Sequence, residues 1–145
     1  MTVREAQHSD EATIRSILES QELPTESVGT GNTDFFLAFD GATPVGVAGF
    51  EHYGEDVLLR SVAVPSALQK KGIGSQLIDW MIELAKHKGK SRIVLLTESA
   101  ERFFARKGFV TVARSSIDNA ALKQSSQFVG GSCCSKAACM ILTLR

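Results

Sequence analysis

Between a nearly apolar run, Val57 to Val64, and a long segment of helical spacing that begins at Gly72 lies Gln69-Lys70-Lys71-Gly72-Ile73-Gly74-Ser75. The apolar run suits a central strand buried on both faces, which needs neighbours on either side and a layer of helix over it. Glycines between such a strand and a helix let backbone N–H groups come close to a ligand. The helix N-terminus adds partial positive charge, so the segment can cradle a pyrophosphate. A P-loop needs Lys and then Ser or Thr straight after its last Gly, and here Gly74 is followed by Ser75-Gln76. The dinucleotide fingerprint needs a third Gly where Leu77 stands. What remains is Gln-x-x-Gly-x-Gly, which by itself is equally consistent with an ordinary glycine-rich helix start.

The rest of the chain reads as one interleaved α/β (α+β) order. Thr2 to Ala6 alternates as a first strand, and His8 to Glu11 supplies a cap and first-turn acids for a helix whose stripe is Ile14, Ile17 and Leu18. Leu23-Pro24-Thr25 interrupts it, and Val28 to Asp34 reads as a loop. Phe35 to Asp40 and Pro44 to Tyr53 form an antiparallel hairpin about Gly41-Ala42-Thr43. In the helix that starts at Gly72, Ile73, Leu77, Trp80, Met81, Leu84 and Ala85 share one face, and Gly89 closes it. Ile93 to Thr97 is a strand, Ala100 to Lys107 a short helix stopped by Gly108, and Phe109 to Ala113 another strand. Ser115 to Ser132 is polar and irregular, and Ala137 to Leu144 is a last strand. The expectation is a single domain over residues 1–145, with a mixed sheet of six to seven strands and helices on both faces.

Sixteen basic residues balance sixteen acidic ones, which argues against nucleic acid or a polybasic membrane anchor as the main partner. No apolar run approaches the roughly 20 residues that span a bilayer, and Met1 to Asp10 lacks the apolar core of a signal peptide. The expected location is the cytoplasm. Cys133, Cys134 and Cys139 are an odd, crowded set that does not read as a disulfide framework.

In this context the loop resembles the coenzyme A loop of the GNAT family of N-acetyltransferases, whose pattern is Gln or Arg, two residues, Gly, one residue, Gly or Ala. Leu59 to Pro65 looks like that family's fourth strand and its exit, and Ala100 to Phe109 like its second signature, a short helix ending in Gly-Phe. The resemblance implies acetyl-coenzyme A as cosubstrate, no required metal, and strands four and five splayed to admit the pantetheine arm. It implies backbone pairing with that arm around Val62, Ala63 and Val64, where a backbone N–H would polarise the thioester carbonyl. It also implies pyrophosphate contacts from Gln69, Lys70, Lys71, Gly72, Ile73, Gly74 and Ser75. Phe103, Phe104 and Arg106 would line the cofactor side, although core packing accounts equally well for the two phenylalanines. Relatives often carry Tyr where Phe104 stands, and Phe cannot protonate a leaving thiolate. Ser61 and Tyr53 are the substitute acids, and Glu51, His52 and Glu98 the candidate bases, directly or through water. An exposed polar strand face explains Glu51 as well.

A narrower similarity joins Leu23-Pro24-Thr25, Leu58-Leu59-Arg60-Ser61, Leu95-Leu96-Thr97, Arg114, Phe128, Cys133, Ala137 and Met140 to the N-acetyltransferases of bacterial arsenic resistance. That subgroup's tail reads Cys-Pro and then Ser-Ala, where this chain has Cys134 and Lys136 at the Pro and Ser places. The similarity implies a small amine as acceptor, such as an anionic amino acid bearing arsenic or phosphorus. Arg60 and Arg114 would then be its bidentate cations, unless Arg60 pairs with an acid and Arg114 is simply exposed. The alternatives are a protein N-terminal or lysine acetyltransferase, and a non-catalytic coenzyme A or thiol-based arsenic or metal sensor. Monomer and homodimer are both open.

Overall fold

The computed structural model describes residues 1–129 and 137–144. Seven strands hydrogen-bond in the order β1-β2-β3-β4-β5-β7-β6. They are β1 (Thr2–Glu5), β2 (Asp34–Asp40), β3 (Thr43–Tyr53), β4 (Asp56–Ala63), β5 (Arg92–Thr97), β6 (Val110–Val112) and β7 (Ala138–Thr143). The helices are α1 (Glu11–Ser20), α2 (Ile73–His87), α3 (Glu101–Arg106), α4 (Ala120–Lys123) and α5 (Ser126–Val129). The pairs β1–β2, β2–β3, β5–β7 and β6–β7 are antiparallel, whereas β4–β5 is parallel. The open, mostly antiparallel mixed sheet therefore agrees with the expected fold class.

The chain divides into two compact units, residues 1–51 with 61–84, and residues 52–60 with 85–145. In the first unit the alternation of β2 explains why helices lie on both sheet faces. Phe35 and Leu37 join Ile14, Ile17 and Leu18 of α1, with Val47 and Ala63, in one core. Phe36, between them, points the other way and meets Trp80 of α2 at 5.5 Å between ring centroids. Fully burying each large apolar side chain of this kind contributes roughly 1.5–3 kcal/mol. Gly46 of β3 lies on the α2 side, where a Cβ would meet Leu77 Cδ2 at 3.4 Å.

The α2 stripe is broader than the sequence reading drew it. Leu77, Ile78, Met81, Ile82 and Ala85 are buried, while Trp80 is only partly so. At the start of α1, Asp10 reaches back rather than forward. Its carboxylate accepts from Gln7 N–H at 2.7 Å and from the Arg4 guanidinium at 2.8 and 3.1 Å. The Arg4 hydrogen bond, with the Gln7 amide adding to it, holds the Asp10 carboxyl below its ordinary range.

In the second unit Leu58, Val94, Ile117, Leu122 and Cys139 form the core. The segment read as irregular, Ser115 to Ser132, instead contains α4 and α5 within its described part. Asn119 caps α4, its Oδ1 accepting from Leu122 N–H at 3.1 Å, and Ile117 and Leu122 anchor the segment by burial. The strand expected from Phe109 starts at Val110. Gly108, with φ +101°, and Phe109 close α3 through amide bonds to Ala105 O and Phe104 O, so Phe109 belongs to the helix stop.

Candidate active site

The second half of β4 carries the first feature that positions chemistry. Register pairing between β4 and β5 ends at Leu59↔Leu95, although β4 continues to Ala63 and β5 to Thr97. Two residues on, Ser61 adopts φ +56° inside the strand, a left-handed conformation that a side chain with Cβ resists. Such a residue locally re-aims a strand. Ser61, Val62 and Val64 are half-buried and Ala63 is buried.

From Val64 the chain runs through Pro65 and a 3-10 turn, Ser66–Leu68, to the glycine loop. Lys70 has φ +67° and Gly72 φ +83°, so left-handed residues alternate along the loop just before α2 begins at Ile73. Gln76 N–H to Gly72 O, at 3.0 Å, is an early bond of the helix, and the amides of Ile73 and Gly74 come before any intrahelical acceptor. A Cβ added to Gly72 would meet nothing within 4 Å. One added to Gly74 would touch only Val64 Cγ2, at 3.9 Å. Gly72 thus borders open space, which is what a pyrophosphate cradle needs. Gln69, Lys70, Lys71 and Gly72 are exposed, and Ile73, Gly74 and Ser75 are half-buried.

The Gln69 side chain serves the loop itself. Its Nε2 donates to Val64 O and to Gln21 Oε1, both at 2.8 Å. An amide nitrogen has two hydrogens, so both are used within the protein.

The candidate proton-handling groups are placed as follows. Glu51 ends the β3 part of the first unit and is buried, 5% exposed, which corrects the idea of an exposed strand face. Alternation along β3 sets it on the same sheet face as Val47 and Gly49. His52 and Glu98 are exposed, and Tyr53 is half-buried.

In the second unit Phe104 is buried, edge-on to Phe103 at 5.1 Å and to Phe109 at 5.4 Å. The packing reading of Phe104 therefore describes its surroundings, while Phe103 is half-buried and Arg106 exposed. Arg60 and Arg114 are brought to one element. Arg60 is 5% exposed and its Nη1 donates to Ser126 Oγ of α5 at 3.5 Å. Arg114 is half-buried, not simply exposed. It donates to Ala137 O at 3.1 Å, and its guanidinium lies 6.0 Å from the Phe128 ring centroid of α5. The part of α5 in this arrangement had no signal in a segment that looks polar and featureless.

An open depression of about 710 Å³ in the same unit is lined by Tyr53, Asp56, Arg92, Asp118 and Asn119 among others. Its polar groups bond one another. Arg92 is bidentate on Asp56 at 2.9 and 3.0 Å and reaches Asp118 at 2.6 Å, and Asn119 Nδ2 donates to Asp56 and to Tyr53 O. Arg92 rises above its ordinary value through the Asp56 bond, and Asp118 falls through the Arg92 bond. This is a brace between β4, β5 and the chain before α4. Burial pushes the Cys139 thiol up, which makes it a poor thiolate. Cys133 and Cys134 lie outside the described residues. Among the described residues no group of three or more His, Cys, Asp or Glu could hold a metal ion. Among the same residues no helix is long and apolar enough to cross a membrane.

Comparison with known proteins follows the same lines. The sequence pattern described as the Acetyltransferase (GNAT) family matches residues 3–109. No curated protein matches the chain. Among solved structures, Rv2747 from Mycobacterium tuberculosis, in complex with CoA, superposes with a TM-score of 0.77 at 23% identity over 100% of both chains. N-acetylglutamate synthase from Neisseria gonorrhoeae, complexed with coenzyme A and L-arginine, gives a TM-score of 0.80 at 18% identity, over 99% of this chain and 33% of that one. An aminoglycoside 6'-N-acetyltransferase complexed with coenzyme A gives 0.71 at 17% identity, over 100% of this chain and 98% of that one.

The backbone at Ser61 sets a direct test. Ser61→Val puts a β-branched residue at φ +56°, where Ser61 already bears the left-handed cost, and should lower stability further in denaturant unfolding, by about 1 kcal/mol. Ser61→Gly should stay within about 1 kcal/mol of the parent.

Proposed function

The chain belongs to the acetyltransferase (GNAT) family, and from that premise we propose that it transfers the acetyl group of acetyl-coenzyme A to the amine of a small, anionic amino-acid-like acceptor. All 145 residues then act as one catalytic domain. The observation that carries the cofactor half is the glycine loop. Open space stands where a Cβ at Gly72 would project, and left-handed Lys70 and Gly72 lead into the N-terminus of a fifteen-residue helix. Backbone amides of Gly72 to Ser75, together with the Lys70 and Lys71 ammonium groups, bind the pyrophosphate, where the helix end favours negative charge. The Gln69 side chain holds the loop's shape.

At the exit of β4, backbone groups of Val62, Ala63 and Val64 pair with the pantetheine arm. One of their N–H groups stabilises the oxyanion as the amine nitrogen attacks the thioester carbon. The C–N bond forms, the C–S bond breaks and the thiolate departs. The amine proton goes to Glu51, directly or through water, and Ser61 is the hydroxyl proposed to pass a proton to the thiolate in place of the missing Tyr at Phe104, its own proton being restored from Glu51 through water.

The anionic acceptor is supported by Arg60 and Arg114, which meet the same short helix, α5, from β4 and from the turn after β6. A guanidinium fork matches carboxylate, phosphonate and arsonate oxygens alike. The sequence similarity to arsenic-resistance N-acetyltransferases favours arsenic- or phosphorus-bearing amino acids within this class. Two of the structural neighbours are, by their names, N-acetylating enzymes of small molecules. The reading includes cytoplasmic action and needs no metal, nucleic acid or membrane partner.

The loop is tested by Gly74→Val. This position has no left-handed backbone, and Val64 Cγ2 is the only atom near the new Cβ, so the fold should persist. Calorimetry should show acetyl-coenzyme A affinity falling at least about tenfold, or roughly 1.4 kcal/mol. Unchanged affinity in the folded variant removes the assignment.

The acceptor class is tested by Arg60→Lys, which keeps the charge and loses the fork. Steady-state kinetics with anionic and neutral amines side by side should show the specificity constant falling for anionic amines by about 1.5–3 kcal/mol in barrier. Neutral amines and acetyl-coenzyme A binding should stay near the parent. Equal losses on both amines would make Arg60 a structural residue.

A further inference from the structure

The glycine loop is exposed from Gln69 to Gly72 and contains a non-glycine residue, Lys70, in the left-handed region. An exposed loop of this kind has little packing to keep it in one shape, and a left-handed Lys costs free energy that the surroundings must offset. Side-chain amides supply a constraint. Gln69, which directly precedes Lys70, is tied back to Val64 O at 2.8 Å and outward to Gln21 Oε1 at 2.8 Å. Gln21 follows the last residue of α1, and its own Nε2 donates to Ser66 Oγ at 3.2 Å and to Ser20 O at 3.2 Å. One amide therefore touches α1, the 3-10 turn after β4, and the residue that leads into the cradle. Each group in the chain of bonds is used in the sense its chemistry allows. Both Gln69 hydrogens are donated, the Gln21 oxygen accepts one of them, and the Gln21 nitrogen donates onward. The α1 end is itself fixed, because Ile17 and Leu18 one turn earlier are buried in the core of the first unit.

We propose that Gln21 is a positioning residue for the cofactor, holding the pyrophosphate loop in its binding shape through Gln69. The inference rests on the reading of Gln69 to Ser75 as the cofactor loop. It adds a residue from a different element, 48 positions away in sequence from the glutamine it holds. Gln21 does not touch the cofactor. Its removal lets Gln69 swing and Lys70 relax toward an ordinary conformation, so the cradle must be rebuilt at the expense of affinity. The effect falls on binding, because the chain of bonds runs through the loop and meets the β4 exit only at a carbonyl oxygen, Val64 O.

The test is a double-mutant cycle in the full chain with Gln21→Met, Gln69→Met and the pair. Acetyl-coenzyme A affinity is read by calorimetry, the Michaelis constant and turnover by steady-state kinetics, and the folded state by thermal unfolding. Each single variant should bind roughly three- to tenfold more weakly, the loss expected for one net hydrogen bond. The pair should bind no more weakly than the weaker single variant, because both changes cut the same link. The Michaelis constant for acetyl-coenzyme A should rise with turnover unchanged, and any fall in melting temperature should stay within the few degrees that one net hydrogen bond contributes. Gln21→Met that binds like the parent, or losses that simply add, would overturn the proposal. So would a lowered melting temperature with unchanged affinity. Gly74→Val separates this failure from failure of the loop reading. If Gly74→Val loses binding while Gln21→Met does not, only the brace is wrong, and if Gly74→Val binds like the parent, the loop assignment falls with it.

Discussion

The left-handed backbone at Ser61, in the middle of a largely buried strand, is the constraint on which the rest of the site depends. An L-residue adopts φ +56° at a cost of roughly 1–3 kcal/mol, and it persists only where the surroundings over-determine it. Here the residues on either side do so. Asp56 to Arg60 are buried and Asp56 to Leu59 are in register with β5, while Ala63 after it is buried with α1. The strand is thus anchored on either side of the irregularity. Beyond it, Val64 O is the acceptor for Gln69.

In the proposed reading the loop binds through its backbone amides, with the Lys70 and Lys71 ammonium groups beside them. Lys70 and Gly72 turn left-handed, α2 supplies amides at its first turn, and the glycines leave room for a ligand to reach them. On that reading a chain of zero formal net charge can hold a polyanion. The positive potential of the helix end is local and fixed in direction. As an acetyl-coenzyme A-dependent N-acetyltransferase of the GNAT family, the protein spends its sheet on shape and its loops on binding.

Much of this was legible in the sequence because it rests on local patterning. Val57 to Val64 announced a buried strand by composition, and Gly72 and Gly74 marked the loop because glycine is the residue that leaves backbone accessible. The α1 stripe and the closing glycines at 89 and 108 were equally local. Other features escaped because their causes are distant in sequence. Glu51 is buried by the fold, and nothing in its neighbours distinguishes it from a polar residue facing water. Gln21 and Gln69 meet only in the folded chain. In Ser115 to Ser132 the helical signal was one capping Asn and two apolar residues, Ile117 and Leu122, too sparse to register as a period. Arg92 stands just before the strand expected from Ile93 and carries no local signal, yet it joins Asp56 and Asp118 in the brace of the second unit.

The central claim is that the loop from Gln69 to Ser75 binds a pyrophosphate. It is tested most directly by comparing acetyl-coenzyme A with S-acetyl-pantetheine, which keeps the thioester and the arm but lacks the pyrophosphate and nucleotide. Calorimetry on the unmodified protein should show acetyl-coenzyme A binding at least about a hundredfold more tightly, the equivalent of roughly 2.7 kcal/mol, and Gly74→Val should close most of that gap. Equal affinity for the two thioesters, or a gap that Gly74→Val leaves unchanged, would contradict the account.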